Sequence, residues 1–327
     1  MKILLLGDAS NLHNTLGGAL CRMGHDVTVM SQGSGWLNTR RDIDIRRRPG
    51  KLGGLLLVAR LAGPLHRYMR GYDIVAVQNP HFLPLKPARL RWFFDRLRRD
   101  NGSVFLSASA TDEVYVSEAL DPRSPLRYNE YRIGSRPAPY AIADPVTLQR
   151  WQAPDMKAWA DYFYDRIDGA VSALYEYHVA LRTRLPDDKI AYGGIPVNLD
   201  NLPFRQISPD IRQVRLFLGR HRSRQTEKGT DLLETAARRV ADASGGRVTL
   251  NIVENRPYDE YVDTMRDSHI MLDQIYSYTP ATNAEAWSPW KKVGMNPPRF
   301  SPRSVSELMT SAATSGASRP SRISLLR

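Results

Sequence analysis

The chain has 327 residues, 42% of them apolar and 24% charged, with a net charge of +12. That composition is normal for a soluble globular protein, so disorder is not the default reading, and the length is enough for two domains of ordinary size. No apolar run approaches the ~20 residues of a membrane span, and a single cysteine, Cys21, rules out a disulfide framework and fits a cytoplasmic location. The basic balance, with a pI of about 9.9, admits nucleic acid, anionic lipid or phosphorylated small molecules as partners. Neither zinc-knuckle spacing nor an RNA-recognition pattern supports nucleic acid.

"MKILLLGD" reads as a buried parallel strand ending at Gly7 and Asp8; its apolar core is too short for a signal peptide. "HNTLGGALCRMG" follows as a helix with Leu16, Ala19, Leu20 and Met23 on one face, and "HDVTVMS" is a second strand. This strand-helix-strand opening starts a doubly wound α/β domain. The turn "GDASNLHN" lacks G-x-G-x-x-G, so a dinucleotide dehydrogenase gains little support. "DIDI", residues 42 to 45, has Asp-x-Asp spacing, but it lies in a basic, strand-like segment and reads as coincidence.

"YDIVAVQNP" and "GSVFLSASA" read as further strands, with "KPARLRWFFDRLRRD" between them. There Leu90, Phe93, Phe94 and Leu97 recur at helical spacing, flanked by Arg89, Arg91, Arg96, Arg98 and Arg99. An outer helix with a solvated basic edge explains that pattern; a face resting on anionic lipid is the sharper alternative. "DGAVSALYEYHVALRTRL" is strand then helix, and "KIAYGGIPVNLDNLPF" is a strand leading into a Gly- and Pro-marked linker. The alternation restarts with "VRLFLGR", "TDLLETAARRVADAS", "VTLNIVE", "YDEYVDTMRDS" and "HIMLDQIYS". The expected organisation is two Rossmann-like domains, 1–195 and a partial 196–286, followed by an aberrant basic tail, 287–327.

Gly219 ends a strand where the cleft of such a fold lies, and the next helix aims its amide N–H groups back toward that edge. Leu232, Leu233, Ala236, Ala237 and Val240 give this helix one apolar face. Arg220 and Lys228 set cations beside its start, and Gly229 lets backbone approach closely. The corner suits a diphosphate; a solvated basic loop before a helix explains the same residues.

"FLGRHRSRQTEKGTDLLETA" resembles the Gly-Arg…Lys-Gly…Leu segment of retaining GT-B glycosyltransferases of the glycosyltransferase group 1 type. "GDASNLHNTLGGAL", "GHDVTVMSQGSGW" and "DQIYSYTPATNAEA" are similar to the same family in order and spacing, from residue 1 to about 286. The resemblance implies a nucleotide-sugar as co-substrate, no further cofactor, no metal, and transfer to a glycan or lipid-linked acceptor. It implies that Arg220 and Lys228, with Gly219 and Gly229, hold the donor diphosphate. Glu285 matches the ribose-binding second glutamate of the Glu-x7-Glu pair, whereas the first position, near Ser277 or Tyr278, holds no acid. Thr279, Thr282 and Asn283 would offer groups to the diphosphate and sugar. On the acceptor side the candidates are His13 and Asn14, in the turn after the first strand, and Asp112; no general base is assigned.

After Ala286 the character changes: residues 285 to 327 hold nine Ser, five Pro and seven Lys or Arg, against two Glu and no Asp. An out-of-frame tail is favoured over a native disordered one. Trp287 and Trp290 stand where a shifted frame can read the methionines that the family's helix carries, and 298–306 can be back-translated into a typical family helix. The chain is therefore expected to be a C-terminally damaged, inactive copy of a transferase. The alternatives are a non-catalytic two-domain protein binding a nucleotide or anion, and a nucleic-acid binder using the Arg-rich helix.

Overall fold

Ile3, Leu4, Leu5 and Leu6 form an unbroken apolar run, so a strand made of them needs cover on both faces. The computed structural model, which describes residues 1–33, 40–198, 211–254, 256 and 258–280, supplies that cover. The chain opens with β1 (Lys2–Leu6), α1 (Leu12–Arg22), β2 (Asp26–Ser31), β3 (Ile43–Asp44), α2 (Gly50–Ala62) and β4 (Ile74–Val77). It continues through α3 (Pro87–Asp100), β5 (Ser103–Ala108), α4 (Glu113–Leu120) and a small hairpin, β6 (Arg132–Ile133) with β7 (Arg136–Pro137). Then come α5 (Pro139–Ala143), α6 (Pro145–Trp151), α7 (Pro154–Tyr164), β8 (Gly169–Ser172), α8 (Tyr175–Leu181) and β9 (Ile190–Tyr192).

Seven of these strands form one parallel sheet in the order β3-β2-β1-β4-β5-β8-β9. Alternate residues of β1 serve two cores. Ile3 and Leu5 pack with Leu20 and Phe105 on the α1 side, while Leu4 and Leu6 join the larger core under α3, α4 and α7. Each large apolar side chain withdrawn there contributes about 1.5–3 kcal/mol. α3 starts at Pro87, whose missing N–H costs nothing at that position. It buries Leu90, Phe93, Phe94 and Leu97, the face its spacing predicts. α1 buries Leu12, His13, Gly17 and Leu20, whereas Met23 is exposed beyond its last turn, so the inward face is rotated from the expected one.

The segment 113–164 carries short helices that periodicity does not announce. Much of its order comes from one buried guanidinium: Arg132 donates to the carbonyls of Ala119, Asp121, Leu126 and Gly134, satisfying backbone that no strand pairs.

The second sheet comprises β10 (Val214–Gly219), β11 (Val248–Val253) and β12 (Ile270–Leu272), parallel and in the order β11-β10-β12. Its helices are α9 (Gln225–Lys228), α10 (Thr230–Ala243) and α11 (Tyr258–Asp267). The fold is thus α/β with two Rossmann-like sheets, the second the smaller among the described residues. α10 departs from expectation. It turns Thr230 and Ala237 inward, while Leu232 and Val240 are 51% and 53% exposed. The predicted stripe is thus packed only in part: Ala237 is buried and Leu233 half-buried, while Leu232, Ala236 and Val240 face outward with no described element over them.

Candidate functional site

In both sheets the strand order reverses beside the first strand, between β1 and β4 and between β10 and β12. Ligands of open α/β sheets sit outside the carboxyl ends at such a point. The carboxyl edges of the two sheets also meet. Glu176, in the first turn of α8 and buried, accepts from the Tyr278 N–H at 3.0 Å, the Thr279 N–H at 3.3 Å, the Thr279 hydroxyl at 2.6 Å and the Ser277 hydroxyl. The Thr279 hydroxyl accepts in turn from the Tyr175 N–H at 2.8 Å. The Tyr278 hydroxyl donates to the Pro125 carbonyl and accepts from the Tyr128 N–H. Residues 277–279, just past β12, are thereby clasped to the first unit.

On the first sheet's edge His13 is fixed by two contacts. Its N–H donates to Asp8 Oδ1 at 3.0 Å, and its Nδ1 lies 2.7 Å from the Gly7 carbonyl. That second contact makes Nδ1 the protonated nitrogen, because a carbonyl can only accept. Nε2 is buried and has no hydrogen-bond partner among the described residues. Burial lowers the pKa of His13 to about 4 against the upward pull of the Gly7 carbonyl, so near neutral pH the ring presents an unprotonated Nε2. Asn14 donates to Asn11 Oδ1 and shapes the turn. Asp112 is spoken for. It caps α4 by accepting from the Tyr115 N–H at 2.8 Å, and it accepts from the Tyr164 hydroxyl at 2.5 Å. Burial raises its pKa to about 6 despite those two bonds.

On the second sheet's edge the two predicted cations differ. Arg220 donates to Glu254 at 2.9 and 2.5 Å and to Glu234 at 2.5 Å, while Arg222 reaches Glu254 from outside. Arg220 therefore ties the end of β10 to α10 and to the end of β11, its charge matched by two carboxylates. Lys228 is half-buried at the end of α9. Burial lowers its pKa, the nearby carboxylate of Asp273 opposing. Its carbonyl accepts from the Ile275 N–H at 3.0 Å, which brings the clasped loop onto the start of α10. There Thr230 carries a buried hydroxyl with no partner among the described residues.

The two glycines answer to packing. Gly229 has φ +68°, and a Cβ there would collide with Ile275; one on Gly219 would collide with the Tyr261 hydroxyl. Glu285, Thr282 and Asn283 lie outside the described residues, as do 287–327 and most of the expected linker. Glu176, Thr230 and the carboxylates around Arg220 are the residues that sequence reasoning missed. For Glu176 the available signal is an acid in the first helical turn after a strand's carboxyl end.

Elsewhere, α3 engages most of its arginines within the fold. Arg91 stacks on Tyr162, Arg96 lies over Trp92 and against His66, and Arg98 and Arg99 pair with Asp168 and Asp100. Asp44 of "DIDI" binds Arg41 and Arg46, and Asp42 accepts from the Val29 N–H. Among the described residues no three His, Cys, Asp or Glu side chains converge as metal ligands, and no helix is long and apolar enough to cross a membrane.

No family model matches the chain, and no curated protein matches it. Among solved structures, UDP-GlcNAc 2-epimerase from Methanocaldococcus jannaschii overlays with a TM-score of 0.41 at 9% identity, over 87% of this chain and 75% of that one. The kitacinnamycin glycotransferase gives 0.41 at 10% identity, over 96% of this chain and 90% of its own. The lipopolysaccharide outer core galactosyltransferase WaaB gives 0.37 at 14% identity, over 82% and 65%. Overlays this loose describe a likeness of architecture and carry no argument about what the chain does.

Proposed function

We propose that the chain is built as a GT-B glycosyltransferase of the retaining type, with 1–195 as the acceptor side and 196–286 as a partial donor side. The observation that carries this reading is the corner at the second sheet's reversal point. Lys228, the unpartnered Thr230 hydroxyl and the first N–H groups of α10 gather there, on the edge that the Glu176 clasp joins to the first sheet. In transfer, negative charge grows on the departing nucleotide diphosphate. A half-buried ammonium and fixed N–H dipoles stabilise it more than water would. Nε2 of His13 is enclosed, so it would meet a sugar or acceptor hydroxyl only where the groups covering it open. Arg220 takes part by holding the end of β10 in place, and it reaches a phosphate only by giving up Glu234 or Glu254.

That difference sets the test. Lys228→Ala is expected to weaken UDP or GDP binding, read by calorimetry, by roughly 1.5–3 kcal/mol, the value of a charge-assisted contact. Arg220→Ala should cost less. Unchanged affinity in both variants would move the phosphate corner elsewhere. The alternative, a non-catalytic anion binder, predicts equal thermal stabilisation by UDP, GDP and a polyphosphate of matching charge. The nucleotide-sugar donor, a glycan or lipid-linked acceptor, and action at the cytoplasmic face of a membrane belong to the same proposal. So does the out-of-frame reading of 287–327, with the inactivity it entails. The nucleotide sequence around codons 283 to 290 tests it.

A further inference from the structure

α2 is apolar on two faces. Leu57 and Leu61 point into the core, and so do Gly53 and Gly54. The glycines are required there: a Cβ on Gly53 would collide with the Arg48 carbonyl, and one on Gly54 would press on the Arg47 guanidinium at 3.1 Å. The helix backbone thus seats flat against residues 47–48. The opposite side carries Leu52, Leu55 and Leu56, 75%, 57% and 51% exposed. With exposed Ala59 they follow one another at i, i+3, i+4 and i+7, a continuous outward stripe. A helix of this kind normally has a second partner for its second face.

The charge around the stripe identifies the partner's chemistry. Between Asp44 and Asp73 the chain has no acidic residue, but it carries Arg46, Arg47, Arg48, Lys51, Arg60, Arg67 and Arg70. Arg48 and Lys51 are exposed at the head of the helix, and Arg67 and Arg70 are exposed just beyond it, around Tyr68. Arg47 and Arg60 spend N–H groups on the carbonyls of Pro84, Gly50 and Asp44, and Arg46 pairs with Asp44. A second copy of the chain docked on this face would bring like charges together, which works against a self-complementary interface. Nucleic acid would leave the leucines without a partner. An anionic bilayer surface answers both features, with acyl chains for the leucines and headgroup phosphates for the cations. Thirteen helical residues span about 20 Å, too short to cross a bilayer and suited to lie in its surface.

We propose that α2 is a membrane-surface helix, resting its Leu52–Leu55–Leu56 stripe in the headgroup boundary of an anionic bilayer. The proposal deepens the membrane-face part of the transferase reading, but it uses none of the crevice residues, so nucleotide binding and vesicle binding can fail separately.

Vesicle flotation of the full chain tests it. Phosphatidylcholine vesicles with about 30% phosphatidylserine should carry the chain upward, and pure phosphatidylcholine should carry at least about tenfold less. A Leu52→Ser, Leu55→Ser, Leu56→Ser variant changes only exposed side chains. It should keep the wild-type melting temperature and lose at least about tenfold in partition. Arg48→Gln with Lys51→Gln should remove much of the preference for anionic lipid and leave the fold intact. The proposal is overturned if the wild type stays in solution with anionic vesicles, or if the triple-serine variant floats as well as the wild type. It is also overturned if the leucine changes leave flotation untouched and instead convert a dimer to a monomer in sedimentation, which would seat a second copy on this face.

Discussion

The two sheets follow the same strand-helix alternation and end in different states of enclosure. β1, β4 and β5 are withdrawn on both faces, with two cores beneath their helices. In the second sheet β11 is only half-buried along most of its length, and its buried cluster consists of Phe217, Val253, Val262 and Met265. The difference teaches where each unit gets its order. The first closes on apolar area. The second, in its described part, relies on ion pairs around Arg220 and on the loop held by Glu176. Parallel sheets are stable when covered on both sides, so the second unit should be the softer of the two.

Core truncation gives the widest separation. Phe94→Ala is expected to cost about 3–5 kcal/mol in denaturant unfolding, with Phe217→Ala toward the low end of that range, because the larger core cannot collapse into the space left. Equal losses would mean the two cores are equally tight. Acid should discriminate next. His13 falls from 6.5 to about 4 in the fold, so the unfolded chain takes up its proton first. The stability this provides is full above pH 6.5 and is lost as the pH falls toward 4, by roughly 3 kcal/mol in all. His13→Gln should flatten that limb of the pH profile; an unchanged profile would show that the ring is not held neutral. Glu176→Gln comes third. It keeps one acceptor oxygen and confronts the clasped N–H groups with another donor, at about 2 kcal/mol. Hydrogen exchange should speed up at 277–279 while the first sheet's strands stay protected; uniform acceleration would make the clasp part of the global core. The smallest effect is expected at Val240→Ser, within about 0.5 kcal/mol, since the side chain is half in solvent. A loss above ~2 kcal/mol would reveal cover over α10.

The strands of both sheets were legible because their signal is local. Runs such as Ile74–Val77 and Leu216–Leu218 leave little choice but burial, and α3 shows its inward face in its spacing. The corner around Gly219 and Lys228 was legible as a place, since a glycine ending a strand before a helix marks the carboxyl edge. The division of labour inside it was not. Whether Arg220 faces a ligand or Glu234 and Glu254 depends on groups up to 34 residues away, which no window of sequence brings together. The same holds for α10, whose apolar spacing predicts burial only if another element lies over it. Asp112 reads equally well as an acid near a cleft and as a helix cap, and Tyr115 and Tyr164 decide in favour of the cap.

Glu176 gathers donors from three neighbouring residues onto one carboxylate. Once the carboxylate swings away from Thr279, its bonds to Ser277 and Tyr278 go with it, while the Tyr175 N–H keeps the Thr279 hydroxyl as its acceptor. The hold between the units is therefore concentrated at one acceptor group rather than spread along the seam. The largest share of these bonds falls on one side chain, which rides on the first helical turn beyond β8, with the Tyr278 hydroxyl's bonds to Pro125 and Tyr128 beside it, so a shift of α8 at one end of the crevice is felt at the loop that borders Lys228 at the other.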